Sequence, residues 1–239
     1  MHHNLSEARV CNASPGTRYL YHPMATRVAS AGPPDHSTLT EYVQAFCSAP
    51  LARGEVNRLS RMLAHVVASQ VETELAARGV TLPIEVGKPT FGGSRARHHL
   101  DAWIHEPSRG LMLGLDVKGL NKPQSVQKNW NNRIGDFEQL ATHHHRLALN
   151  AVLGGVLAVP VEDLSDELLS KIEASMRKRG GRTHTANQQD QLEVTALIVI
   201  SKQTKEILAD VPAKSGVGAA TRIESFAPRI AELFVERWL

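Results

Sequence analysis

The chain has 239 residues, with 27 Lys plus Arg against 24 Asp plus Glu for a formal charge of +3 and a pI near 9.0, and 42% of its residues are hydrophobic. That length allows a sizeable core, the composition excludes a low-complexity chain, and the mild positive excess suits an anionic partner without demanding one. Two cysteines, Cys11 and Cys47, are too few for a disulfide framework and lack zinc spacing, and no apolar run approaches a membrane span.

Residues 1–38 are rich in Pro, Gly, Ser, Thr and His and read as a largely irregular N-terminal arm, leaving 39–239 as a single domain. The first residues carry no apolar stretch of the secretory kind, so a cytoplasmic location is expected. "STLTEYVQAFCSAPLA" opens a short helix capped by Ser37 or Thr38. Over 54–80, Leu59, Leu63, Val66, Val67, Val71 and Leu75 recur at helical spacing, and Gly79 ends the run. Residues 98–119 read as an antiparallel hairpin: "HHLDAWIHEP" alternates, "EPSRG" turns, and "LMLGLDVKG" returns. A helix follows in "NWNNRIGDFEQLATHHHRLALN", then a buried strand in "AVLGGVLAVP" (151–160). "SDELLSKIEASMRKRGG" is a helix with Ser165 as its cap, an acidic first turn and a basic last turn before Gly180. "EVTALIVIS" (193–201) is a second buried strand, and "SFAPRIAELFVERWL" closes the chain as an amphipathic helix. Strands alternating with helices in this order predict an α/β domain, a central mixed sheet with helices on both faces.

The stretch "LDVKG" places an acid, Asp116, and a base, Lys118, two residues apart and so on one face of an otherwise apolar strand. Asp101 lies on the preceding strand of the hairpin, from which it can sit beside Asp116 across the pair. Two carboxylates held close repel each other, and a hard divalent cation relieves them; Mg²⁺ binds through one or two carboxylates plus a substrate phosphate oxygen. A lysine beside such a site orients or deprotonates the attacking water and neutralises charge on phosphorus. The pattern therefore points to phosphodiester hydrolysis.

Asp101, a turn, and "LDVKG" together resemble the PD-(D/E)XK nucleases, the superfamily that includes most type II restriction endonucleases, and the order of elements from about 55 to 201 is similar to that family's core. The pattern departs at one place, where His99 and Leu100 precede Asp101 instead of the family's proline. The resemblance implies a restriction-endonuclease-like core and a Mg²⁺-dependent endonuclease (Mn²⁺ substituting) cutting double-stranded DNA at a specific sequence and leaving a 5′-phosphate. It implies Asp101 and Asp116 as metal ligands, Lys118 as the catalytic lysine, and a carboxylate from the helix before the hairpin, for which Glu74 borders the apolar stripe. A homodimer fits a palindromic site, and a cognate DNA methyltransferase is a possible companion. Two alternatives stand beside this reading: a repair, recombination or phage-defence nuclease without strict sequence choice, and a non-catalytic nucleic-acid-binding module.

For DNA contacts, Lys122, Gln127, Lys128, Asn129, Asn131, Asn132 and Arg133 follow the site closely and suit phosphate or base edges, although asparagines also favour helix starts for local reasons. Arg95 and Arg97 lead into the hairpin, and Arg182 belongs to the basic run "MRKRGGRTHT", which serves phosphate or merely complements a helix dipole. Trp130 is expected to pack in the core. Consecutive residues on a helix point three ways, so His143–His145 is read as a surface or partly buried helix end and not a metal site.

Overall fold

The computed structural model describes residues 38–48, 53–87, 99–122, 125–208 and 222–239, all within the unit Asp35–Leu239. The expected arm, apart from Thr38, lies outside the described residues, as do Arg95 and Arg97.

The elements run α1 (Leu39–Ser48), α2 (Arg53–Ala77), β1 (Glu85–Val86), β2 (Ala102–Glu106), β3 (Gly110–Gly119), α3 (Ser125–Leu147), β4 (Val152–Pro160), a 3₁₀ turn (Val161–Asp163), α4 (Asp166–Arg179), β5 (Val194–Ser201), β6 (Glu206–Ile207) and α5 (Ile223–Trp238). Their ends follow local chemistry. Thr38 caps α1 reciprocally: its hydroxyl accepts the Glu41 N–H at 3.2 Å while Glu41 accepts the Thr38 N–H at 2.5 Å. Gly79, at φ +82°, stops α2, and the next N–H, from Val80, returns to the Leu75 carbonyl at 3.0 Å. Ser165 accepts from the Leu168 N–H to begin α4.

The six strands lie in the order β1-β2-β3-β4-β5-β6, with β3, β4 and β5 parallel and the outer pairings antiparallel. The fold is thus an α/β mixed sheet with helices on both faces. The edge strands β1 and β6 were not anticipated: two residues each are too short to show an alternation.

Alternation along the strands sorts the core into two layers. Leu113, Leu115 and Val117 of β3, with Val156 and Ala158 of β4, pack against α1, α2 and α5. Leu153, Leu157 and Val159 of β4 pack against α3 and α4 through Ile134, Phe137, Leu140, Ile172 and Met176. Each fully buried Leu, Ile or Phe stabilises the fold by about 1.5–3 kcal/mol, so both layers hold the central strands firmly. Among the described residues no helix is long and apolar enough to cross a membrane.

Candidate functional site

Because Leu115 and Val117 face α2 and α5, the residues between and after them, Asp116 and Lys118, face the α3–α4 layer. Their partners on β4 are Gly155 and Leu157. Burial of Asp116 is nearly complete at 1% exposure, whereas the Lys118 side chain keeps 24%. The lysine thus lies between the acid and solvent, its Nζ donating to Asp116 Oδ1 at 2.5 Å.

Asp101 arrives from the other arm of the hairpin. The last paired residues are Ala102 and Leu115, so Asp101, one step further, comes opposite Asp116. Its backbone is pinned on both sides: the N–H donates to the Leu115 carbonyl at 2.8 Å and the carbonyl accepts from the Gly87 N–H at 2.9 Å. Its Oδ2 accepts the Val117 N–H at 2.9 Å. The two acids and the amine expected from the sequence are therefore brought together on one side of the sheet.

The electrostatics are those of a crowded, dry site. Burial pushes the Asp116 carboxyl up to about 8; Lys118 pulls against this, and the neighbouring Asp101 carboxylate adds to it. For Lys118, burial opposes the ammonium, but Asp116 and Asp101, with Asp136 of α3 behind them, outweigh it and raise its pKa. Asp116 Oδ2 is buried and has no donor among the described residues. Leaving a buried carboxylate oxygen unpaired is expensive. A proton or a divalent cation relieves it, and a cation does so without removing the charge that binds it. No group of three or more His, Cys, Asp or Glu gathers as a metal cluster among the described residues. Two carboxylates nonetheless suffice for Mg²⁺, which keeps several waters and completes its shell with substrate. The donor set at Asp101 and Asp116 fits such an ion.

Glu74 does not join this cluster. Its helix packs on the opposite face of the sheet, through Leu63, Val67 and Val71. Its carboxylate pairs with Arg78 one turn on, at 2.5 Å, and it lines a groove with Leu39, Gln70, Thr73 and Ile223. Proximity to an apolar stripe was the only sequence signal, and a stripe does not say which side of the sheet the helix covers.

Arg182 is likewise corrected. It is 1% exposed, with Nη1 on Glu193 Oε1 at 2.5 Å and Nη2 and Nε on the carbonyls of Leu149, Thr185 and Asn187. A guanidinium buried and engaged this way inside the fold is out of reach of a phosphate in solvent. The same Glu193 carboxylate takes Arg237 Nη1 at 2.7 Å and the Leu153 N–H at 2.7 Å, and His145 Nε2 stands 3.3 Å from it. His145 and His144 are buried at 0% and 5% and His143 is half-buried, so the histidine run is the partly buried helix end that was expected. This charged knot was not read from the sequence, where Glu193 appears only as the first residue of a strand.

Of the other expected DNA contacts, Lys122, Gln127, Lys128, Asn131, Asn132 and Arg133 are exposed, and Asn129 is half-buried. Lys122 precedes the helix, which begins at Ser125, and the others lie on the first turns of α3. Asn131 and Asn132 border a groove facing Ser175, Lys178 and Arg179 of α4. Trp130 packs against the core beneath them.

Comparison with family models, with curated proteins and with solved structures returned no match.

Proposed function

We propose that the chain is a Mg²⁺-dependent endonuclease, with Mn²⁺ able to substitute, that hydrolyses phosphodiester bonds of double-stranded DNA at a specific sequence and leaves a 5′-phosphate. The observation that carries the reading is the donor-less buried oxygen of Asp116, beside Asp101 and with the Lys118 amine in contact. A purely structural acid in this position would be matched by donors, as Glu193 is. The order of helix, hairpin, helix and parallel strand supports a restriction-endonuclease-like core around it.

Asp101 and Asp116 are the residues that would hold the ion, whose chemistry is to acidify a bound water and to neutralise phosphate charge. Lys118 stays at the solvent side, where its ammonium faces an incoming phosphate and offsets charge that grows on phosphorus. Buried walls on the Asp116 side keep the local dielectric low, which strengthens each of these interactions. Lys122 ahead of α3, with Lys128 and Arg133 on its exposed first turns, supplies cations for the flanking backbone, and Gln127, Asn129, Asn131 and Asn132 supply groups suited to base edges. A palindromic target would call for a homodimer with one site per strand, and a sequence-specific nuclease of this kind would work beside a methyltransferase that protects the host's own DNA.

The test is incubation of the purified chain with plasmid and phage DNA, with Mg²⁺ and then with EDTA. Discrete bands that appear only with the metal support the reading. A metal-dependent smear retains the chemistry but removes the sequence specificity. DNA that is retained but never cut, with or without Mg²⁺, replaces the nuclease with a binding module.

A further inference from the structure

Leu100, the residue before Asp101, stands on the side of the sheet to which the pattern of β2 would not send it. Ala102 and Ile104 face the layer of α1, α2 and α5, and Trp103 faces the α3–α4 layer. Continued back through Asp101, that alternation assigns Leu100 to the α2 side. Instead the chain bends at Asp101, and Leu100 joins the α3–α4 layer at 1% exposure. The space it takes is left by Gly114, the β3 partner of Trp103. A Cβ there would stand 2.8 and 2.9 Å from the two Leu100 methyl carbons and 2.8 Å from Leu153 Cδ2. Gly114 lies two residues before Asp116 and so on the same face of β3. Leu100 therefore fills a notch one side-chain position along the strand from the buried acid.

We propose that Leu100 is a positioning residue of the site: keyed into the notch at Gly114, it holds the bend that delivers the Asp101 carboxylate to Asp116 and closes the apolar wall on that side of the pair. The inference rests on the metal-dependent hydrolase reading of the two acids. Backbone hydrogen bonds to Leu115 and Gly87 place the main chain of Asp101. The bend that aims its side chain needs in addition a neighbour committed to the α3–α4 layer, and a fully buried leucine is one, because leaving the notch would return its side chain to water. The notch exists only because residue 114 has no Cβ, so Leu100 and Gly114 act as one device. A ligand whose carrier is held this way meets the metal without first having to be ordered.

The experiment measures Mn²⁺ uptake by electron paramagnetic resonance on the folded, metal-free wild type and its variants. Leu100→Ala should weaken Mn²⁺ binding roughly tenfold, as loss of a residue that orients a ligand does. Leu100→Val, which keeps more of the packing and carries the comparison if the alanine variant does not fold, should weaken it by a smaller factor. Leu100→Met, of similar volume, should bind as the wild type does. Leu153→Ala is the control: it empties the other wall of the same notch and should leave Mn²⁺ affinity unchanged. Wild-type affinity in Leu100→Ala and Leu100→Val, or an equal weakening in Leu153→Ala, would overturn the proposal, because a packing role alone treats the two leucines alike. A wild type that takes up no Mn²⁺ fails the metal reading by that result alone, and amide exchange then decides the positioning. The Val117 N–H is held by Asp101 Oδ2, so relative to the other β3 amides it should exchange faster in the Leu100 variants than in Leu153→Ala. Equal exchange in the two would overturn it.

Discussion

Asp101 Oδ2 accepts the backbone N–H of Val117, the residue between Asp116 and Lys118, at 2.9 Å. One carboxylate thereby ties the start of β2 to the centre of the candidate site, and its structural and chemical parts can be separated. Asp101→Asn keeps an oxygen for the Val117 N–H but removes a ligand charge. It should fold normally and lose cleavage with Mg²⁺. Asp101→Ala should lose cleavage and also about 1 kcal/mol of stability, because a part-buried N–H is left without its acceptor. Thermal melts and cleavage assays on the two variants check this, and full activity in Asp101→Asn would move the metal elsewhere.

Lys118→Ala should abolish cleavage while leaving DNA binding in place, since the amine acts on charge that develops only in the transition state. Filter retention of duplex DNA alongside a single-turnover assay measures the two separately. Undiminished cleavage would remove Lys118 from the chemistry.

The raised Asp116 pKa gives a pH dependence with a definite sign. In the folded, metal-free chain Asp116 holds its proton up to about 8, whereas in the unfolded chain it loses it near 3.8. Between those values the folded state binds more protons, so this group's contribution to stability is full below about 4 and is lost as pH rises through about 8. Asp116→Asn should therefore flatten that fall and stabilise the metal-free protein at pH 8, by on the order of 1–3 kcal/mol. By the same linkage Mg²⁺ should bind more tightly as pH rises toward 8 and release a proton below it. Denaturant titrations between pH 4 and 9, with EDTA and with Mg²⁺, test both. A stability that rises over this window with an origin at Asp116 would reverse the argument.

Glu193→Gln is a control outside the acid cluster. It leaves Arg182 and Arg237 without their shared carboxylate inside the fold. Breaking such a buried pair costs about 3–5 kcal/mol, to be read from denaturant midpoints, whereas removing the exposed Glu74–Arg78 pair should cost under about 1 kcal/mol.

Gly155 has no room for a side chain: a Cβ would stand 2.6 Å from Leu192 Cδ1 as well as against Phe137. Gly155→Ala should lower stability by about 1–3 kcal/mol and, by lifting α3 from the strand beside Asp116, lower cleavage more than the loss of folded protein explains. Equal activity per folded molecule would show that α3 does not set the site.

Much of this arrangement was legible in the sequence because the signals were local or periodic. Leu63, Val67 and Val71 mark a helix by spacing, Thr38, Ser165 and Gly79 mark helix ends, and the hairpin puts Asp101 and Asp116 on paired strands, although their facing register depends on a shift between Ile104 and His105 that has no sequence signature. What was hidden depends on which layer an element joins. Glu74 shares its helix with the correct apolar stripe yet lies across the sheet, and Arg182 sits in a basic run that looks solvated but folds inward onto Glu193. Neither fact has a local signature.

The most direct measurement is single-turnover cleavage of an end-labelled duplex mixture with Mg²⁺ by the wild type and Asp116→Ala side by side. The account predicts 5′-phosphate products from the wild type and none from the variant, which should still bind the duplex. The same products from both proteins, or none from either, would contradict it.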